Sequence, residues 1–158
     1  MSALPHPLPF DLELPDQAID SSELPWVPFT DGGDFRPLRF DMVRGQWIEI
    51  TRMTPQCQVS RHRHLGGQVL GFCLEGSWRY LERSWTARPG TLIYEPPGDV
   101  HTLEAGPEGM TTLFIIEGSI QYLDDADAVV AQDDVFSIAR MYFDHCRATG
   151  IAPRDLRF

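Results

Sequence analysis

From Arg39 onward the chain alternates short apolar runs with Gly, Pro and acidic turns. Gln46–Ile50, Gln68–Leu74, Ser77–Glu82, Thr91–Glu95, Thr111–Ile116 and Ser119–Leu123 are rich in β-branched and aromatic residues, and each reads as a strand. Glu117-Gly118 reads as a tight turn between the last two. Strands this short, so punctuated, predict an all-β sandwich or jelly roll. Past residue 132 the period changes. Val135, Ile138, Ala139, Tyr142, Phe143 and Cys146 recur at helical spacing behind Asp133-Asp134, with Gly150 and Pro153 beyond. The spacing predicts an amphipathic helix over 133–149, packed against the outside of the sheet. Residues 1–37 fit neither period. Seven prolines, at 5, 7, 9, 15, 25, 28 and 37, predict an extended arm ahead of a barrel over 38–132.

Two stretches within the strands carry candidate chemistry. In Arg61-His62-Arg63-His64, strand alternation turns His62 and His64 to one face, close enough to share a cation. Gly90-Thr-Leu-Ile-Tyr-Glu-Pro-Pro-Gly-Asp-Val-His101 brings a third imidazole from another strand. Arg-His-Arg-His alone is no more than a solvated basic strand end. Coupled to the second stretch it describes a metal site. Three neutral imidazoles suit Fe, Ni, Cu or Zn better than Mg or Ca, and leave open which of the four is held.

These stretches resemble the two motifs of the cupins. Gly90, Pro96, Gly98 and His101 take their places in the second motif, whose closing Asn is here Ala105. His62, His64 and Gly76 match the first, but its leading Gly is Gln56 and its Glu is missing. The slot of that Glu falls on Gln68 or Val69, depending on the end counted from. A hairpin expected around Glu75-Gly76 sets Glu82 opposite Val69 and on the same face. Glu82 is therefore the candidate fourth ligand, with Gln68 as the alternative.

The wider wording is similar to the 2,4'-dihydroxyacetophenone dioxygenase family, and more distantly to acetylacetone dioxygenase. Ser22–Pro28, Pro37–Asp41, Leu74–Glu82 and Tyr94–Gly98 carry this resemblance, which runs from Leu24 to Asp144. It implies a single-domain cupin jelly-roll barrel and a mononuclear non-haem Fe(II) dioxygenase, with Zn or Ni as further metals in the purified protein. Such an enzyme cleaves a carbon–carbon bond beside a carbonyl, in a hydroxyketone or diketone, with O2. The family uses three histidines, with a glutamate at the Glu82 place in some members. Three or four protein ligands leave an octahedral ion room for substrate and oxygen. Trp78 and Tyr80 share the parity of Glu82 and, with Phe72 and Phe114, are expected either to line the substrate pocket or to pack the core. Glu95 and Arg79 would orient a ligand or a substrate oxygen, or else form an ordinary ion pair. No protein acid or base is assigned.

Composition narrows the partners. Thirteen Lys+Arg against 23 Asp+Glu give a formal net charge of -10, which disfavours nucleic acid and anionic membranes. Cys57, Cys73 and Cys146, an odd number without paired spacing, read as reduced thiols in a cytoplasmic protein. No apolar run is long enough to span a bilayer. The apolar stretch Leu24–Phe29 predicts a homodimer or homotetramer. His6 and His145 are assigned no role. Three other readings remain: a non-catalytic metal or ligand sensor, a cupin enzyme of another class such as an isomerase or thiol dioxygenase, and a structural storage cupin.

Overall fold

A computed structural model describes residues 15–158, so the start of the proline-rich arm, with His6, lies outside the described residues. Nine strands and one helix follow in order: β1 (Val27–Thr30), β2 (Gly33–Asp41), β3 (Gln46–Met53), β4 (Gln58–Leu65), β5 (Val69–Tyr80), β6 (Leu92–Glu95), β7 (Val100–Glu117), β8 (Ser119–Leu123), β9 (Val129–Asp134) and α1 (Val135–Thr149). All strand pairs are antiparallel, in the order β1-β2-β3-β7-β4-β8-β9, with β5 on β7 and β6 on β5. This is an all-β jelly roll with one C-terminal helix.

β7 organises the curl. Its first residues pair with β4 and its last with β3, while β5 runs beside nearly its whole length. The pairing of β5 with β7 slips twice, between Cys73 and Glu75 and between Gly76 and Trp78. Gly76 and Gly109 face each other at this corner with positive φ of 66° and 78°, and a Cβ on Gly76 would come within 2.1 Å of the Gly109 carbonyl oxygen. Paired glycines let two strands bend together where side chains would collide. The hairpin expected at Glu75-Gly76 is therefore absent: β5 passes through as one strand, and the two expected strands are its halves. Glu117-Gly118 does turn the chain, but into β8, which pairs with β4 and β9.

The segment expected as an arm up to residue 37 already contains β1 and the first half of β2. Its prolines obey strand rules: Pro28 sits on edge strand β1, and Pro37 at a bulge against β3. The core is formed by Phe35, Phe40, Trp47, Trp78 and Tyr142, all essentially buried. α1 begins with a capping box. The Asp134 carboxylate accepts from the Phe136 and Ser137 amides, and the Ser137 hydroxyl accepts from the Asp134 amide. Gly150 closes the helix in the left-handed conformation. Tyr142 packs on Phe40, while Ile138 and Met141 reach the internal cavity, so the helix closes the barrel rather than merely covering its outside. Among the described residues no helix is long and apolar enough to cross a membrane.

Candidate metal centre

β4 turns His62 and His64 inward, while Arg61 and Arg63 point outward to Asp127 and Gln121. β7 places His101 directly opposite His62. The Gly98 amide donates to the His64 carbonyl at 2.7 Å, which ties the turn before β7 to the second histidine. The three rings are buried, and one ligand atom from each lies within 4.8 Å of the others.

Their neighbours set which nitrogen faces inward. His62 Nδ1 lies 2.7 Å from the Ser60 carbonyl oxygen and His101 Nδ1 lies 3.3 Å from Asp99, itself held by Arg83 at 2.6 Å. A proton kept on Nδ1 leaves the Nε2 lone pair for a metal. Burial pushes His62 down to about 3, helped by the charges of His101 and His64. Burial also lowers His64, to about 4. Both rings are therefore neutral donors at neutral pH.

The nearby carboxylate is Glu95. Its Oε2 lies 3.3 Å from Nε2 of His64 and of His101, without hydrogen-bond geometry to either. Tyr80 stacks flat on His101, with centroids 3.8 Å apart, and donates its hydroxyl to Glu95 Oε1. Burial raises Glu95, but the imidazoles of His101 and His64 and the Tyr80 hydroxyl outweigh it, and its net shift is downward. Burial, with the Glu95 charge behind it, holds Tyr80 well above its ordinary range, so it stays a donor. His64 Nδ1, His101 Nε2 and Glu95 Oε2 are buried polar atoms without hydrogen-bond partners. Three converging imidazoles, two of them with an unpartnered nitrogen, beside an anion with an unpartnered oxygen fit a divalent transition metal.

The other expected residues are distributed differently. Glu82 is exposed, and its carboxylate accepts from the Thr102 amide at 2.8 Å. With no hairpin at Gly76, the residue opposite Val69 is Glu95 on β6. Gln68 is exposed at the head of β5, and Arg79 is exposed and paired with Glu104 at 2.9 Å. Phe72 lies on the outer face of β5. Trp78 is buried in an aromatic cluster with Tyr80, Trp85 and Phe114. Tyr80 and Phe114 line a cavity of about 270 Å3 that His62 and His64 also face.

Four residues here were given no site role from the sequence. Asp99 supports His101, while Glu49, Tyr122 and Asp133 line the cavity. Glu49 shares parity with Trp47, Thr51 and Met53, all buried, so a carboxyl on an inward face was its only signal.

The model of the family described as ChrR cupin-like domain matches residues 15–121. No curated protein matches the chain. Among solved structures, an RmlC-like cupin protein of Ralstonia eutropha is 30% identical, with a TM-score of 0.87 over 92% of this chain and 96% of that one. An acetylacetone dioxygenase of Acinetobacter johnsonii is 16% identical, with a TM-score of 0.73 over 89% and 99%. The complex of SigE with the anti-sigma ChrR from Rhodobacter sphaeroides is 17% identical, with a TM-score of 0.51 over 59% of this chain and 49% of that one. At such identities the last two show the fold alone.

Proposed function

This chain belongs to the family of ChrR cupin-like domains, and we propose that it uses the three-histidine centre as an enzyme: a mononuclear Fe(II) dioxygenase that cleaves a carbon–carbon bond beside a carbonyl. One observation carries this reading. His62 and His64 of the centre face a cavity of about 270 Å3 walled largely by apolar side chains, whereas a purely structural metal site is closed by its ligands. His62, His64 and His101 would hold the ion, with Glu95 as the adjacent anion. When bound, iron supplies a Lewis acid for a hydroxyketone or diketone and the electrons that activate O2.

The remaining roles belong to the chain. Tyr80, by donating to Glu95 Oε1, fixes the carboxylate so that Oε2 faces the histidines. Glu95, ionised and without a cationic partner, is placed to take the acidic proton of a bound hydroxyketone or diketone. Phe114, Val69 and Ile116 exclude water and lie against the organic part of the substrate.

The test is oxygen consumption by protein stripped of metal, reloaded anaerobically with Fe(II), and offered aryl hydroxyketones and β-diketones. Iron-dependent uptake matched by a cleaved product is expected. Metal bound at the histidines with no uptake on any substrate overturns the reading and moves the protein to the sensor class, for which the family match speaks.

A further inference from the structure

The cavity has a second polar region besides the histidines. On β3, the inward residues Trp47, Glu49 and Thr51 are consecutive on one face. Glu49 is buried and accepts from Trp47 Nε1 at 3.1 Å and from the Thr51 hydroxyl at 2.7 Å, one donor on each oxygen. These donors fix the carboxyl while leaving each oxygen a lone pair. Asp133 of β9 and Tyr122 of β8 line the same cavity, and the charge of Asp133 reaches Glu49. The pairing rows measure the distance from the metal ligands. His64 is opposite Ile120, which is opposite Asp133, so Asp133 stands two strand spacings away, about 10 Å.

Nothing positive balances this region. All thirteen basic residues of the chain are arginines, and none of them lines the cavity among the described residues. A carboxyl buried without a cation is costly and is better explained by a ligand than by packing. We propose that Glu49 is a specificity-determining residue. It holds a hydrogen-bond-donating group, hydroxyl or ammonium, at the end of the substrate remote from its metal-binding carbonyl, and together with Asp133 turns carboxylate-bearing substrates away. The proposal rests on the reading above only for the carbonyl end.

The test uses Zn(II)-loaded protein without oxygen, so that binding is read apart from turnover. Aryl 1,3-diketones carrying hydrogen, hydroxyl, aminomethyl, methoxy or carboxylate on the ring position opposite the diketone are titrated calorimetrically. The hydroxyl or aminomethyl ligand, or both, should bind about tenfold or more tighter than the methoxy one, and the carboxylate one weakest. In Glu49→Gln, with metal content intact, this preference should shrink severalfold and the carboxylate ligand gain affinity. Equal affinities in the wild type, or a preference unchanged in the variant, overturn the proposal. Should the variant not fold, the wild-type series decides by itself. Selective binding without oxygen uptake in the iron protein would leave this inference standing while the dioxygenase reading falls.

Discussion

Glu49 shows how one side chain couples stability to pH. Burial raises its pKa from 4.5 to about 7, against the hydrogen bonds of Thr51 and Trp47, and the negative charge of Asp133 adds to the rise. The folded state thus binds a proton that the unfolded state has released between about pH 4.5 and 7. Stability contributed by this group is complete below the unfolded value and falls as pH rises through the folded one. A shift of that size corresponds to about 3 kcal/mol lost by pH 8. Glu49→Gln cannot ionise, but its amide can satisfy only one of the two donors, at a cost of about 1 kcal/mol. The metal-free variant should therefore be less stable than wild type at pH 4 and more stable, by about 2 kcal/mol, at pH 8. Urea unfolding at the two pH values checks the crossing, and curves that shift in parallel would show that Glu49 is ionised throughout.

Elements were legible where one local rule decided them. α1 follows from its apolar spacing and the Asp134 cap, and the shared face of His62 and His64 follows from strand alternation alone. The place of the carboxylate beside the histidines was not legible, although the reasoning toward it was sound in kind. A carboxylate was expected opposite Val69, and one is there, but on β6 instead of the far arm of a hairpin. Glu75-Gly76 looks the same in sequence whether the chain reverses or bends. What decides is Gly109, 33 residues away, whose backbone needs Gly76 to lack a side chain. Gly76→Ala forces a Cβ to 2.1 Å from a carbonyl oxygen at a φ of 66°, and should cost about 2–4 kcal/mol. Gly90→Ala, also at positive φ but in open space, should cost only about 1 kcal/mol. Thermal unfolding of the two variants compares corner with turn. Equal losses would mean that the corner relaxes.

At the scale of the whole molecule, the last residues hold together parts that the sequence offers no reason to join. The stretch after Gly150 has no periodic pattern, yet Leu156 is fully buried. Its carbonyl accepts from the Phe40 amide at 2.8 Å, and Arg39 Nε donates to the Phe158 carbonyl at 2.6 Å, both on β2. The Arg154 amide donates to the Tyr142 hydroxyl of α1 at 2.9 Å, and its guanidinium to the Ala18 carbonyl at 2.8 Å. Strand β2, the helix and the segment leading to β1 thus meet on one short strap. Ile138 and Met141 of that helix wall the cavity, so the strap stands behind the site without touching it. Leu156→Ala removes a buried anchor whose surroundings, tied by backbone hydrogen bonds, cannot easily collapse. It should cost about 2–4 kcal/mol and lower the unfolding midpoint by about 5–15 °C. Calorimetry of wild type and variant with equal metal content reads this directly. A midpoint within a degree or two of wild type would mean that the strap lies on a body already complete without it.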